Sequence, residues 1–425
     1  MQRRNLNPAK RLFTTATFRS VAGLVAAMSL CCATHCSGED WPWWRGPRLD
    51  GTSLEKEVPV HWSSTSNIVW KAPVPGEGHS SPIIYRDRIF LLSSNPDTQE
   101  RLLVCFSRVN GELSWQKPVL SAPLEPKHVL NSYASSTPAC DGQRVYAAFL
   151  DRDQMLVAAY DLSGQLLWSV HPGTFTSRHG FCSSPLLYED KVLVNGDHDG
   201  DSYLVALSRA DGKTLWKTPR QNHTRSYCTP LIRELAGKPQ MVLSGDKSVA
   251  SYDPRTGKQL WLIDGPTEQF VASPVYHEPS GLVLITGGFP DHHILAIRPD
   301  GMGNVTKTHI AWRTTEGAAY VPSPICEGDY FLVVEDGGIA HCFNARTGEL
   351  AWKQRLGEQH ASLVSAEGNV YFLNDKGVTH VVRPGQQYTV VATNELGEKC
   401  FASPAISRGQ IFIRTDKNLV CVGKP

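Results

Sequence analysis

A short segment that recurs along most of the chain constrains its fold more than any other feature. In its clearest copy, residues 252–261 read Y-D-P-R-T-G-K-Q-L-W, which is a turn around Gly257 and then a short run that ends in Trp261. Soon afterwards the chain reads A-S-P-V-Y, residues 272–276. The pair returns at a spacing of roughly 40–55 residues, a period typical of propeller blades.

The copies are counted from two kinds of residue. A Trp closes the last strand of seven copies: Trp70, Trp115, Trp168, Trp216, Trp261, Trp312 and Trp352. A Pro marks the start of seven copies: Pro82, Pro138, Pro185, Pro230, Pro274, Pro324 and Pro404. An eighth start, residues 361–364, lacks the Pro, and the copy before Pro404 has Tyr388 near the place of the Trp.

Each copy also divides into four short β-rich runs separated by Asp, Asn and Gly turns, which is typical of antiparallel hairpins. The sequence therefore predicts an all-β, eight-bladed β-propeller of four-stranded antiparallel blades. The last copy, residues 403–422, supplies only three strands. A lone fourth strand at residues 67–71 precedes the first start, so we expect this N-terminal strand to close the last blade.

The N-terminus has the composition of a signal peptide, predicted over residues 1–38. Basic residues precede an uncharged apolar run, residues 21–33, that is too short to span a bilayer. Cleavage is expected after Ala33 or Gly38, and a retained membrane anchor is the alternative. The residues before Cys31, Cys32 and Cys36 do not fit a lipoprotein site. With no other long apolar segment, the sequence predicts a periplasmic or secreted protein.

Two further segments follow the leader. Residues 39–66 form a Trp- and Pro-rich segment whose richest part, residues 41–53, holds three Trp. Such large apolar side chains need burial, so we expect a plug or strap packed on the propeller; a partner-binding aromatic patch is the alternative. Residues 67–425 are predicted to be the propeller itself.

Charge and cysteine usage exclude some classes of function. A formal net charge of +1 does not fit a nucleic-acid binder, which needs a basic surface. Cys105, Cys342 and Cys421 occupy a repeat position that holds Ala158, Ala206 and Ala296 in other copies. A slot that accepts Ala or Cys indicates a small buried thiol. A disulfide between Cys182 and Cys228 is the alternative use of cysteine.

The repeat resembles that of the quinoprotein-type (PQQ-like repeat) propellers, whose pattern is roughly A-x-D-x-x-T-G-x-x-x-W. Residues 252–261, 343–352 and 160–168 match this pattern well, and the resemblance extends from residue 67 to the C-terminus. In kind, the chain is most similar to the non-catalytic propellers of outer-membrane protein assembly and to secreted proteins with PQQ-like repeats. The resemblance implies the fold; it does not carry an activity, because repeat residues hold blades together in enzymes and scaffolds alike.

The quinone-dependent members of this family imply a cofactor test. They bind pyrroloquinoline quinone (PQQ) and Ca²⁺ beside a catalytic Asp and often an adjacent Cys pair. The one adjacent pair here, Cys31-Cys32, lies in the predicted leader, and no ligand set can be carried over. We therefore expect no cofactor and assign no catalytic residue; PQQ and Ca²⁺ stay an unsupported alternative.

A binding site is predicted from the irregular residues before each start. In this strand order they ring one mouth of the central channel, and concave mouths are the usual ligand sites of such folds. The candidate ligand-binding residues are His79, Tyr133, Arg178, His179, Arg225, Tyr227, Tyr320 and His360; Glu268, Phe270, Glu316 and Lys399 occupy the remaining mouth positions. Their chemistry suits a small acidic or aromatic ligand, and simple solvation of the rim is the alternative.

Two segments resemble metal sites. Residues 195–201 read N-G-D-H-D-G-D, a pattern that suits Ca²⁺, but the closing Glu is missing and other copies have plain turns there. Asp291-His292-His293 could hold a metal ion, but a third ligand is not evident in the sequence. We therefore predict turns and no metal.

Together these features predict an exported, non-catalytic propeller that acts as a protein-binding or assembly scaffold in the cell envelope. It is expected to be a monomer with an envelope or secreted protein as its partner. The alternative is a small-molecule-binding protein or a PQQ-dependent oxidoreductase that uses the channel mouth.

Overall fold

The computed structural model of the chain describes residues 38–424. The predicted leader, apart from Gly38, lies outside these residues, as do Cys31, Cys32 and Cys36. The described residues form eight antiparallel sheets, and the first strands of neighbouring sheets contact one another, as Ile325–Glu327 and Val364–Ala366 do. The predicted eight-bladed, all-β propeller is confirmed. Among the described residues, no helix is long and apolar enough to cross a membrane.

The first four blades follow one another along the chain, each running from its innermost to its outermost strand. Blade 1 comprises Ile83–Tyr85, Arg88–Asn95, Glu100–Ser107 and Leu113–Ser121; blade 2 comprises Ala139–Cys140, Arg144–Asp151, Gln154–Asp161 and Leu166–Thr174. Blade 3 comprises Leu186–Tyr188, Lys191–Gly196, Tyr203–Ser208 and Thr214–Pro219; blade 4 comprises Leu231–Leu235, Lys238–Gly245, Ser248–Tyr252 and Gln259–Asp264.

The remaining blades complete the circle. Blade 5 comprises Val275–His277, Leu282–Gly287, His293–Ile297 and Ile310–Thr314, with a 3-10 helix at Glu278–Ser280; blade 6 comprises Ile325–Glu327, Tyr330–Val334, Ile339–Asn344 and Leu350–Arg355. Blade 7 comprises Val364–Ala366, Asn369–Leu373, Val378–Arg383 and Thr389–Glu395; blade 8 comprises Ala405–Ser407, Gln410–Arg414, Asn418–Val422 and Ile68–Pro73.

Blade 8 is built from both ends of the propeller. The strand Ile68–Pro73 pairs antiparallel with Asn418–Val422, and Trp70 lies opposite Cys421. The predicted closure by an N-terminal strand is therefore confirmed, with the strand two residues longer at its end than expected. This pairing covers a sheet edge that would otherwise be free to pair with another chain.

The repeat Trp residues join each blade to the next. Six of the seven donate their indole N–H to a backbone carbonyl of the following blade at 2.9–3.3 Å: Trp70, Trp115, Trp168, Trp216, Trp312 and Trp352. In five of these six, all except Trp352, the Trp ring lies on the turn glycine of that blade, as the ring of Trp312 lies on Gly348. The repeat glycine thus supplies both a positive φ and room for a neighbouring indole.

Trp261 departs from this rule. Its indole N–H donates to Gln240 of its own blade at 2.7 Å. The following blade has a long loop in place of the short glycine turn, and that loop adds a short parallel strand, Gly303–Asn304, beside Trp261. Between blades 4 and 5, backbone pairing therefore replaces the indole hydrogen bond, while Trp261 still packs in the hydrophobic cluster that the two blades share.

The cysteines follow the buried-slot interpretation. Cys105, Cys342 and Cys421 are buried opposite Trp115, Trp352 and Trp70 in the strand register. In blade 2 the residue opposite Trp168 is Ala159 and not Ala158, because the turn there is one residue shorter. All eight described cysteines are free, so the alternative disulfide between Cys182 and Cys228 is not formed.

The segment before the propeller lies across one end of the channel. We call residues 41–53 the plug. Trp41 is buried and exchanges two backbone hydrogen bonds with Ile84 in blade 1, at 2.9 and 2.8 Å. At the other end of the plug, Thr52–Ser53 pairs in parallel with Val364–Ala366 in blade 7. Between them, buried Arg45 donates to the carbonyl of Pro324 in blade 6 at 2.5 Å.

The turn glycines give a direct test of indole docking. A Cβ at Gly348 (φ +76°) would lie 2.6 Å from the Trp312 ring, whereas one at Gly368 (φ +74°) would meet open space. Gly368→Ala is therefore expected to cost about 1–2 kcal/mol from backbone strain alone. Gly348→Ala should cost about 1–3 kcal/mol more, because the indole must move. Equal losses of unfolding free energy in urea titrations would contradict the docking role.

Candidate functional site

A closed circle of hydrogen bonds surrounds the channel at the start of the innermost strands. In each blade, the backbone N–H of a Ser or Thr donates to the side-chain hydroxyl of the equivalent residue in the next blade, at 2.9–3.4 Å. We call these eight residues the hydroxyl ring: Ser81, Thr137, Ser184, Thr229, Ser273, Ser323, Ser362 and Ser403. The ring links all eight blades, including blade 8 to blade 1.

The sequence explains why this ring forms. Seven ring residues come directly before a repeat Pro, which favours an extended backbone at the preceding residue. At the start of each innermost strand no neighbouring strand lies beside the ring residue, so its buried N–H group needs another acceptor. A hydroxyl on the neighbouring blade provides one. The copy without Pro keeps the hydroxyl, at Ser362.

A cavity of about 370 Å³ occupies the channel beside the ring. Trp44 of the plug lines it at the closed end, and six ring residues line its wall: Ser81, Thr137, Ser184, Thr229, Ser362 and Ser403. Aromatic and imidazole side chains line it toward the open mouth: His79, His128, His179, Tyr227, Tyr320, His360 and Phe401. The channel is therefore a pocket with one open end.

The structure brings together five of the eight predicted site residues. His79, His179, Tyr227, Tyr320 and His360 all line the cavity. The mouth is where the sequence placed them, because the segments between blades carry them to the start of each innermost strand.

The other three lie outside the cavity. Arg178 is exposed on the rim, and Arg225 forms an ion pair with Asp199 at 2.5 Å. Tyr133 packs instead beneath the cations of Arg101 and Lys127. The remaining mouth positions are also outside: Phe270 is buried in the core, and Glu268, Glu316 and Lys399 are exposed.

The rings at the mouth form two stacked groups. In one, Phe401 lies between His79 and His360, with ring centroids 4.8 and 5.4 Å away. In the other, His179 lies between His128 and Tyr227, at 5.5 and 6.3 Å. Each stack draws on segments from different blades, so the mouth is shaped by tertiary packing.

Burial sets the charge of the mouth. Burial, followed by the charges of Arg414, His360 and Lys127, lowers the pKa of His79 to about 3. Burial and the charge of Arg225 also lower the pKa of His179. Both imidazoles are therefore neutral at pH 7. Burial opposes protonation of His360 too, but a 2.7 Å hydrogen bond to Asp375 outweighs it and raises the pKa of His360.

Turn carboxylates hold the mouth segments in place. The Asp336 carboxylate accepts the backbone N–H groups of Tyr320 and Val321 at 2.8 and 3.1 Å. Asp375 does the same for His360 at 2.9 Å, besides bonding its ring. From the sequence alone, the segments that carry Asp336 and Asp375 are predicted to be plain turns. The recurrence of an Asp in the same turn of several copies was the signal that could have shown their role.

The segment at residues 195–201, which resembles a calcium loop, is held by ion pairs within the protein. In residues 195–201, Asp197 is buried and its carboxylate pairs with Arg220 at 2.8 Å, while Asp199 pairs with Arg225. Burial raises the pKa of Asp197 to about 6 despite that pairing. Within residues 38–424, no group of three or more His, Cys, Asp or Glu side chains is placed to hold a metal ion.

The charged side chains and oxygen ligands of the cavity lining show whether a PQQ–Ca²⁺ centre would fit. Such a centre requires cationic groups for an anionic quinone and several oxygen ligands for the metal ion. Among the described lining residues there is no Lys or Arg, and the one carboxylate, Asp336, is occupied by backbone N–H groups. The side chains at the mouth do not fit this cofactor.

The family profile and the two related proteins that match this sequence carry the same description. The sequence profile described as outer membrane protein assembly factor BamB matches residues 55–173, 99–284 and 302–422. BamB of Moranella endobia (strain PCIT) is 25% identical over 306 residues, which cover 70% of this chain and 69% of that protein. BamB of Burkholderia pseudomallei (strain K96243) is 25% identical over 280 residues, covering 64% and 65%. The chain thus spans 69% and 65% of these relatives' lengths.

Solved structures show the same fold. BamB from Moraxella catarrhalis superimposes with a TM-score of 0.56 at 12% identity, covering 82% of this chain and 98% of that one. The quinohemoprotein alcohol dehydrogenase ADHIIG from Pseudomonas putida HK5 gives a TM-score of 0.50 at 12% identity, covering 81% and 76%. Similarity at this identity concerns the propeller architecture alone.

Removing one ring hydroxyl tests the role of the hydroxyl ring. Ser323→Ala leaves the buried N–H of Ser273 without its acceptor, so we expect a loss of about 1–3 kcal/mol in unfolding free energy. Ser169 is exposed on the outermost strand of blade 2, and Ser169→Ala should change stability by less than about 0.5 kcal/mol. Denaturant titration of both variants measures the difference; equal values would show that the ring does not stabilise the fold.

The buried His79 predicts a specific loss of stability in acid. Its pKa is about 3 in the folded protein and near 6.5 when unfolded, so the unfolded chain binds more protons between these values. The stabilisation is complete above pH 6.5 and is lost as the pH falls toward 3. His79→Gln should therefore gain stability relative to the wild type between about pH 7 and about pH 4. The exposed His61→Gln is the control, and parallel pH profiles of unfolding for all three proteins would refute the prediction.

Proposed function

Because the chain belongs to the family of outer membrane protein assembly factor BamB, we propose that it is an exported, non-catalytic scaffold of the cell envelope that binds a protein partner. Family membership is the observation that carries this proposal. The names of the two relatives describe assembly factors of the outer membrane, and the matched residues cover most of the propeller. Export rests on the predicted leader, outside the described residues.

The channel mouth supports binding of a protein. Two loop tips that carry exposed apolar side chains flank it. Val129 is 84% exposed in the segment between blades 1 and 2, beside the lining residues His128 and Leu130. Phe289 is 54% exposed in blade 5, which lies opposite blade 1 in a ring of eight. A partner that covers the concave mouth would contact both apolar tips.

We propose further that this scaffold works without a quinone. The absence of Lys and Arg from the described lining and the engaged Asp336 carboxylate support that view. An oxidoreductase would instead bind PQQ and Ca²⁺ with a change in visible absorbance and would oxidise an alcohol or sugar.

Retention of a partner from envelope extract tests the proposal. Immobilised wild-type protein should retain a protein that Phe289→Asp and Val129→Asp do not retain, since a carboxylate at either tip opposes apolar contact. Met302→Asp is the matched control: Met302 is 88% exposed in the same blade as Phe289, at the other end of the strand His293–Ile297. Alanine at His79, Arg178, Arg225 and His360 extends the test to the mouth itself.

The outcomes separate clearly. Loss of the same protein with the tip variants, and its retention by Met302→Asp, would support binding at the mouth. Equal retention by all variants would place the interface elsewhere. If the wild type retains no protein that the unmodified resin lacks, the scaffold function is wrong.

A further inference from the structure

The hydroxyl ring has hydrogen-bonding capacity that the protein does not use. A Ser or Thr hydroxyl has one hydrogen to donate and two lone pairs to accept with. In the six ring residues that line the cavity, the oxygen accepts a backbone N–H. Among the described residues, no acceptor lies within hydrogen-bonding range of their O–H groups: Ser81, Thr137, Ser184, Thr229, Ser362 and Ser403. The wall therefore presents an arc of O–H donors that extends from blade 7 through blades 8, 1, 2 and 3 to blade 4.

The two ends of the cavity are aromatic. Trp44 lies at the closed end, and the stacks around Phe401 and His179 border the mouth. Between flat apolar surfaces and a polar wall, the cavity suits a ligand that has an apolar face and a polar edge. Its volume of about 370 Å³ falls in the range of small-molecule sites, roughly 300–1,000 Å³.

Among the described residues, the cavity offers no unpaired charge to a charged ligand, because His360, whose pKa is raised, is already hydrogen-bonded to Asp375 at 2.7 Å. Its lining holds no Lys or Arg, and both Arg178 and Arg225 stay outside it. The carboxylate of Asp336 is occupied by two backbone N–H groups. An anion or a cation would lose its hydration without gaining a partner of opposite charge, which is costly. A purely aromatic ligand would leave the O–H donors unsatisfied.

From these three features we propose that the channel cavity binds a neutral polyhydroxylated ring, the chemistry of a monosaccharide or disaccharide. The apolar C–H face of the ring packs on Trp44, and its oxygens accept hydrogen bonds from the hydroxyl ring. Its hydroxyl groups replace water molecules that would otherwise bind there, and so preserve their hydrogen bonds. The site is separate from the proposed protein interface at the loop tips, and binding involves no chemical step.

Calorimetric titration of the purified protein with glucose, galactose, cellobiose and maltose tests this inference. At least one of these sugars should bind saturably at millimolar concentrations or below. The charged analogue glucuronate and the aromatic analogue 4-hydroxybenzoate should bind at least about tenfold more weakly, a difference of about 1.4 kcal/mol. Failure of all four sugars to bind, or equal or tighter binding of either analogue, would overturn the proposal.

Three variants locate the site. Trp44→Ala removes the stacking surface and should weaken sugar binding at least about tenfold, or about 1.4 kcal/mol. Trp43→Ala changes the neighbouring indole, which does not line the cavity, and should leave the affinity unchanged. Thr137→Val keeps the side-chain shape but removes one O–H donor together with the acceptor of the Ser81 N–H, so affinities are compared for folded protein; it covers the case in which Trp44→Ala unfolds. Unchanged affinity in Thr137→Val and in any folded Trp44→Ala would refute the site.

The loop-tip variant distinguishes this inference from the scaffold proposal. Phe289 does not line the cavity, so Phe289→Asp should bind the sugar as the wild type does, even where it loses the protein partner. A parallel loss of sugar binding in Phe289→Asp would show that the cavity and the loop tips form one site, and would overturn a separate sugar site.

Discussion

At the start of the innermost strand of each blade, no neighbouring strand accepts the buried backbone N–H, which has to find an acceptor elsewhere. In this protein the acceptor is a hydroxyl of the next blade, and eight such bonds close into the hydroxyl ring. The same choice fixes the chemistry of the channel, because six of the eight hydroxyls that accept an N–H also line the cavity and have a hydrogen left to donate. A requirement of the fold thereby gives the wall of the pocket its polar character, while indole docking at the outer strands holds the blades without contributing to it.

The plug closes one end of the channel. A propeller channel is open at both ends unless something covers one of them. Here a backbone pairing at Trp41, a buried Arg45 and a parallel pairing at Thr52–Ser53 fix one short segment to several blades at once. The segment brings Trp44 to the cavity, so a residue far outside the repeats shapes the site as much as any residue within them.

The repeat made most of the fold predictable, because the strands and turns can be identified from the sequence of each copy. The closure of blade 8 followed from counting strands, since three at one end and one at the other complete a sheet. The site was less accessible. His79 and His360 precede recognisable starts, but His128 lies in a long segment with no counterpart in other copies, and Trp44 lies outside the repeat altogether. Arg178 and Arg225 occupy similar sequence positions to cavity residues, yet their long side chains lie outside the cavity: Arg178 is exposed at the rim, and Arg225 pairs with Asp199.

The shared construction of blade 8 also sets an order of assembly. Its outermost strand comes from the start of the propeller and its other three strands from the end, so this sheet cannot form until nearly the whole chain is present. The plug contacts blades 1, 6 and 7, which must already stand in their final places around the axis. Contacts between such distant parts of a chain form late in folding, because the intervening loop must first be closed. A truncated chain would have neither a closed ring of eight blades nor a plug fixed across the channel. The cavity therefore exists only in molecules that have been fully synthesised and folded.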